Sequence, residues 1–172
     1  MDSMQQRQPT LSQFFLLACA LVGVGIAAYL TSAHYELAPL ACSGSGFVNC
    51  ARVLSSPYSV VPGTSIPITI PGMAWSLLIA TLVVMELRRP ARWLRLAQFA
   101  WSLVGMLTVL YLVYVEIVLL HNLCAWCTAM HVLVFLIFLI ALARLTLPQP
   151  ESVPDGASVR KPTEMIRSAD RR

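Results

Sequence analysis

Cys42 and Cys50 stand eight residues apart, and Cys124 and Cys127 stand three apart in the stretch NLCAWCTAMH. Thiols at such spacings can form a disulfide, exchange one, or help to hold a metal. The Cys-x-x-Cys pair immediately precedes a long apolar run, which makes it the opening of a helix. Positions i and i+3 lie on nearly the same helical face. The free amides and positive dipole end of that helix favour a thiolate, the species that thiol–disulfide exchange requires. Zinc centres usually need two closely spaced pairs. Cys42 and Cys50 are too far apart, on too flexible a loop, and no metal is expected. Cys19, the fifth cysteine, lies within another apolar run and reads as a small buried hydrophobe.

The elements that must position these thiols are membrane-spanning. Of the 172 residues, 58% are hydrophobic and 12% charged, and the mean hydropathy is +0.72. Soluble domains are about 45–50% apolar and about 25% charged. A hydrocarbon core is crossed by about 20 apolar residues in a helix. Four runs qualify, Leu11 to Ala33, Pro71 to Leu87, Leu96 to Leu120 and Ala125 to Leu147. Each must be helical, because lipid offers no partner to an open backbone amide. The expected fold is an all-α integral membrane protein, a four-transmembrane-helix bundle with a long loop between the first two helices. The first run is longer than a signal-peptide core and is expected to stay as an anchor.

Every basic residue except Arg52 falls on one side of these crossings. They are Arg7, Arg88, Arg89, Arg92, Arg95, Arg144, Arg160, Lys161, Arg167, Arg171 and Arg172. The positive-inside rule places that side, with both termini, in the cytoplasm. The net charge of +4 therefore reads as a topology signal, and without a basic patch interleaved with aromatics it does not point to nucleic acid. The four paired cysteines then face an oxidising compartment, where disulfides persist.

Three regions follow. Residues 1–12 form a cytoplasmic lead, 13–147 the membrane domain with its outer loop at about 34–70, and 148–172 a Pro-rich cytoplasmic tail expected to be disordered. Within the loop, Val48 to Leu54 reads as a short amphipathic piece stopped by Ser55, Ser56 and Pro57. Val60, Val61, Ile66, Ile68 and Ile70 make the next segment apolar enough to lie on the membrane or plug the bundle mouth. Pro71 suits a first helical turn.

The simplest chemistry for two such pairs is a relay. An external dithiol reduces a Cys42–Cys50 disulfide, a loop cysteine attacks a Cys124–Cys127 disulfide, and the electrons pass to an acceptor in the bilayer. Two electrons per disulfide match a lipid-soluble quinone. Rival readings are a membrane assembly protein with structural disulfides, and a DsbB-type oxidase, which carries its Cys-x-x-Cys in the first outer loop instead.

The order of a spaced pair followed by a Cys-x-x-Cys opening the fourth helix resembles the vitamin K epoxide reductase family. CARVLSS, Cys50 to Ser56, resembles its Cys-x-x-Val-x-Ser-Ser signature, and SIPITIPG resembles its Ile-Pro-rich approach to the second helix. The similarity runs from about Leu11 to Leu147. It implies a bundle around a quinone of ubiquinone, menaquinone or vitamin K type, with Cys127 reacting with the quinone. Cys124 would exchange with the loop pair through Cys50, while Cys42 meets the external partner. Ser56 matches a family serine beside the loop cysteines. Bacterial members lie in the inner membrane and oxidise DsbA-like periplasmic thioredoxin-fold proteins; here such a partner is expected to be a separate protein. Animal members reduce vitamin K and its epoxide, the alternative activity.

Two positions depart from the animal pattern. His131 stands four residues after Cys127, where animal members have a substrate-facing tyrosine. The i+4 spacing puts it on the cysteine face, from where it could bond a quinone oxygen or be satisfied by a neighbouring helix. Ile68 stands where animal members have an asparagine, which favours simple quinone reduction over epoxide chemistry. Glu116 and His121, near the outer end of the third helix, could relay protons to a reduced quinone or face interfacial water; their place near the headgroup layer favours water. Trp75, Trp101, Tyr111 and Tyr114 read as packing or belt residues.

Overall fold

A computed structural model describes residues 11–36, 39–42 and 46–146. Residues 1–10 of the polar lead, the tail at 148–172 and the basic residues Arg7, Arg160, Lys161, Arg167, Arg171 and Arg172 lie outside the described residues. Helix α1 spans Leu11–His34, α2 Cys50–Leu54, α3 Thr69–Arg88, α4 Arg92–Tyr114 and α5 Ala125–Thr146. A π-helical turn, Val115–Leu119, continues α4. Four of these elements, counting α4 with its extension, are long and apolar enough to cross a membrane. They agree with the four expected runs. The third begins earlier than expected, at Arg92, because its first turn is built from the arginine-bearing link.

The long helices close a ring in which α1 packs on α3, α3 on α4, α4 on α5 and α5 on α1. Its interior is lined by Leu16, Ala20, Ile79, Ala80, Val83 and Ile137, with Cys19 among them, as expected of a small hydrophobe. Leu21, Leu107, Leu110 and Phe135 point outwards. Large apolar side chains on the outside as well as between the helices is the membrane pattern, since lipid gives apolar surface no reason to hide. Close approach has specific supports. A Cβ on Gly23 would lie 2.9 Å from the Ser76 hydroxyl, and one on Gly105 would run into the Trp75 indole. Trp75 Nε1 donates to the Trp101 carbonyl at 3.0 Å, and Trp101 Nε1 returns a longer bond of 3.4 Å to the Trp75 carbonyl. These two tryptophans are packing residues, as expected. Gly105→Ala should therefore lower the stability of the detergent-solubilised protein by about 1–3 kcal/mol, the cost of overpacking a tight contact. An unchanged thermal unfolding curve would show that the indole can yield.

One end of the bundle carries a buried ionic network that sequence did not reveal. Glu86 of α3, only 2% exposed, accepts from Arg144 Nη2 at 2.8 Å and from Gln98 Nε2 at 2.9 Å. Arg144 Nη1 also donates to Gln98 Oε1 at 3.1 Å. Arg95 Nε lies 3.4 Å from Glu86 Oε1, within reach of charge attraction but off the line of a hydrogen bond. Arg144 and Arg95, read as topology charges, thus turn inward and tie α3, α4 and α5 together. The cysteines occupy the opposite end.

Candidate functional site

The loop after α1 is fastened to the mouth of α5. Phe47 and Asn49 bracket Leu123: Leu123 N–H donates to the Phe47 carbonyl at 2.9 Å, and Asn49 N–H to the Leu123 carbonyl at 2.9 Å. Asn49 then caps α2, its Oδ1 accepting from Arg52 N–H at 3.0 Å, which meets one of the open donors of a helix start. Ser55 and Ser56 end α2 as expected, with Ser56 Oγ donating to the Val53 carbonyl at 2.7 Å. On the Cys42 side, Trp126 Nε1 donates to the Ala41 carbonyl at 3.0 Å. Tyr29 of α1 accepts from Ala41 N–H at 2.7 Å and donates to the Pro39 carbonyl at 3.0 Å, and its ring packs on Trp126 with centroids 5.0 Å apart. Tyr29, Asn49 and Trp126 were not among the expected site residues. The aromatic between Cys124 and Cys127 was their one visible signal.

These fastenings bring all four paired cysteines together. Cys42 and Cys50 form a disulfide with Cα atoms 6.0 Å apart. Cys50 and Cys124 are both fully buried in one cluster with Val53, against which Cys42, Trp126 and Cys127 pack. Cys124 and Cys127 are not joined by a disulfide, and their sulfurs are in direct contact. Cys124 caps α5: its sulfur accepts from Cys127 N–H at 3.3 Å, and its carbonyl accepts the first helical bond, from Thr128 N–H at 2.8 Å. The hydrogen bond from the Cys127 thiol holds the Cys124 thiol below the usual range; burial and the nearby Glu116 oppose this without reversing it. Of the two sulfurs, that of Cys124 occupies the helix cap, where the Cys127 N–H favours its thiolate.

Cys127 faces the other way, into a narrow cleft between α1, the loop, α4 and α5. Ser56, Ile68, Leu112, Glu116 and His131 line it with Cys127, around about 60 Å³ of free volume. Of the apolar loop segment, Pro67 and Ile68 form part of the cleft wall, while Ile66 is exposed. His131 is 8% exposed. It makes no hydrogen bond to another described residue, so the neighbouring helix that might have satisfied it does not. Ser56 lines the cleft, but its hydroxyl proton is committed to Val53, leaving lone pairs for a guest.

Glu116 corrects the sequence reading. It was expected at the water interface, yet it is 4% exposed and turned into the cleft beside Cys127 and His131. The π-helical turn, closed by the Leu120 N–H bond to the Val115 carbonyl at 2.9 Å, widens the helix where Glu116 sits. Such turns recur at functional sites. His121 is exposed as expected, in a left-handed conformation with φ 50°. Among the described residues no group of three His, Cys, Asp or Glu side chains is placed to hold a metal.

A helical membrane bundle with a loop disulfide packed against a buried dithiol defines a membrane protein built for thiol redox chemistry. The model of the vitamin K epoxide reductase family matches residues 14–142, most of the chain and all four spans in large part. The protein belongs to this family of multi-pass membrane oxidoreductases. No curated protein matches the chain.

Proposed function

We propose that the protein takes electrons from a thioredoxin-fold dithiol of DsbA-like type and passes them to a membrane quinone, making disulfides in the periplasm of a bacterium. The cysteine end then faces the periplasm, and the Glu86–Arg144 end faces the cytoplasm. One observation carries this reading: Cys50 packs against Cys124 in a buried cluster, while Cys127, the other half of the second pair, lines the cleft between the helices and the loop. Electrons entering at the loop thus have a through-sulfur route of two exchanges. Cys42, the more accessible half of its disulfide, receives attack from the partner thiol. The freed Cys50 thiolate attacks Cys124 when the second pair is oxidised, and Cys127 leaves as the thiolate on the cleft side.

The cleft suits a quinone in its lining. Leu112, Val115 and Ile68 give apolar walls, and His131 offers a nitrogen that no described residue uses. When bound, the quinone supplies a two-electron acceptor; the chain orients it, keeps water away and delivers protons. The free volume of about 60 Å³ is well below the roughly 150 Å³ of a cavity that accepts benzene. Admission of the ring therefore requires the loop wall to move. That wall is held by bonds from Ile68 N–H to the Ser59 carbonyl and Val61 N–H to the Ile66 carbonyl, each 2.9 Å.

The test is a purified protein given a reduced thioredoxin-fold donor and a soluble quinone analogue, with quinone absorbance followed. Donor-dependent quinone loss is expected, and its absence with every quinone class would sink the proposal. Ile68 in the cleft wall supports quinone over epoxide as substrate; turnover of the epoxide at a comparable rate would reverse that preference. His131→Ala should raise the apparent KM for quinone about five- to tenfold, the worth of roughly one hydrogen bond. Unchanged affinity and rate would remove His131 from the site.

A further inference from the structure

Two carboxyl groups are buried among the described residues, and their surroundings differ. Glu86 is met by Arg144 and Gln98. Glu116 has no cationic partner among the described residues; its hydrogen bond is with Cys124 N–H, at 3.5 Å, the outer limit for such a bond. It sits on the π-helical turn, facing the positive end of α5, and shares its cleft with Cys127 and His131. Two anions in so dry a place repel each other strongly, and a charged Glu116 works against the Cys124 thiolate. The same helix end therefore serves two acids and accommodates one negative charge.

We propose that Glu116 and Cys124 share one proton and one negative charge at the mouth of α5, so that Glu116 holds the proton released when Cys124 becomes a thiolate and later surrenders it to the reduced quinone. The return of the proton rests on the quinone-reducing function proposed above; the sharing of charge does not. In the first step Cys124 loses its proton to the Glu116 carboxylate. In the second, the Cys124 thiolate pair forms the S–S bond to Cys127, whose S–H bond breaks, and two electrons pass to the quinone. One proton from Cys127 and one from the Glu116 carboxyl go to the two quinone oxygens. The products are a disulfide, a hydroquinone and a Glu116 carboxylate again facing the helix end. Other ionisable groups on the same cleft are His34 of α1, Tyr58 of the loop and His131 of α5. Helix α3 contributes only Thr69 there, and on α4 and its π-helical extension Glu116 is the one ionisable lining residue.

Glu116→Gln keeps the size of the side chain and an oxygen for Cys124 N–H, but cannot hold the proton or the charge. The first measurement contains no quinone. The reduced protein is alkylated with iodoacetamide over a range of pH, and the rate at Cys124 is resolved by mass spectrometry. In Glu116→Gln the half-maximum is expected about one pH unit lower than in wild type, because the competing anion is gone. Glu116→Asp should return it towards the wild-type position. The second measurement is quinone reduction, expected to fall at least about tenfold in Glu116→Gln although Cys124 is more reactive, a modest loss for a proton-transfer group. A third needs no variant: the infrared band of a protonated carboxyl should be present in the wild-type dithiol form and vanish when Cys124 and Cys127 are oxidised. An alkylation profile unmoved by Glu116→Gln, or a carboxyl band indifferent to redox state, overturns the shared charge. Wild-type quinone turnover in Glu116→Gln overturns the return of the proton. If the charge sharing holds while wild-type protein reduces no quinone, the proposed function fails and the Glu116–Cys124 pair stands.

Discussion

In the Cys127→Ala protein, quinone reduction should fall by at least about a thousandfold, the scale seen when a reacting nucleophile is removed. A second product should accumulate at the same time. Cys124 retains the cap position at α5, where backbone amides still favour its thiolate. Beside it lies Cys50, fully buried in the same cluster and bonded to Cys42. Attack by Cys124 on the Cys50 sulfur forms a Cys50–Cys124 disulfide and releases the Cys42 thiolate, with no net oxidation. The leaving thiolate is on the more exposed side, and without Cys127 nothing resolves the product from below. Non-reducing digestion and mass spectrometry would identify it. A Cys42–Cys124 product would instead make Cys42 the shuttle, and full activity would remove Cys127 from the chemistry. Cys19→Ala is the control: buried on α1 among core residues, it should leave quinone reduction intact.

The second large effect belongs to the other end of the bundle. Glu86→Ala strands the Arg144 guanidinium, and with it the nearby Arg95, without a carboxylate between three helices. Breaking one side of a buried ion pair costs about 3–5 kcal/mol, most of it the penalty of the charge left behind. The apparent Tm in detergent should fall by roughly 10 °C, scaled from soluble domains of this length. Removing both charges should cost far less, since buried pairs are often no more stable than apolar residues of similar shape. A Glu86→Leu, Arg144→Met double variant should therefore be more stable than Glu86→Ala alone. If the double variant is the less stable, the network contributes more than the relief of a stranded charge, and Gln98 and Arg95 would have to account for the difference.

Two kinds of residue separate what was legible from what was not. The spans were legible because their signal is local. A run such as Ala125 to Thr146 cannot be anything but a helix in lipid, and the Ser-Ser-Pro stop after Leu54 lies within three residues of the end of α2. The cysteine pairs were legible because their spacing, and their place at one end of the bundle, follow from the order of those spans. The residues that fasten the site were not. Trp126 reaches Ala41 across 85 positions, and Arg144 reaches Glu86 across 58.

Glu116 shows the same limit most clearly. A carboxyl near the end of an apolar run reads as a group in water, because that is where an isolated helix would leave it. Whether it turns outward or inward depends on the π-helical turn and on the loop that covers the bundle mouth, and neither leaves a periodic trace in the sequence. By itself the sequence determined a four-span membrane protein with two cysteine pairs at one end, because hydropathy, spacing and charge asymmetry act over one element at a time. Only the tertiary structure decided which cysteine takes the helix cap, that Cys50 lies against Cys124, that the His131 side chain has no hydrogen-bond partner among the described residues, and that Glu116 faces the thiols. Those are meetings between distant segments, and packing in three dimensions alone selects them.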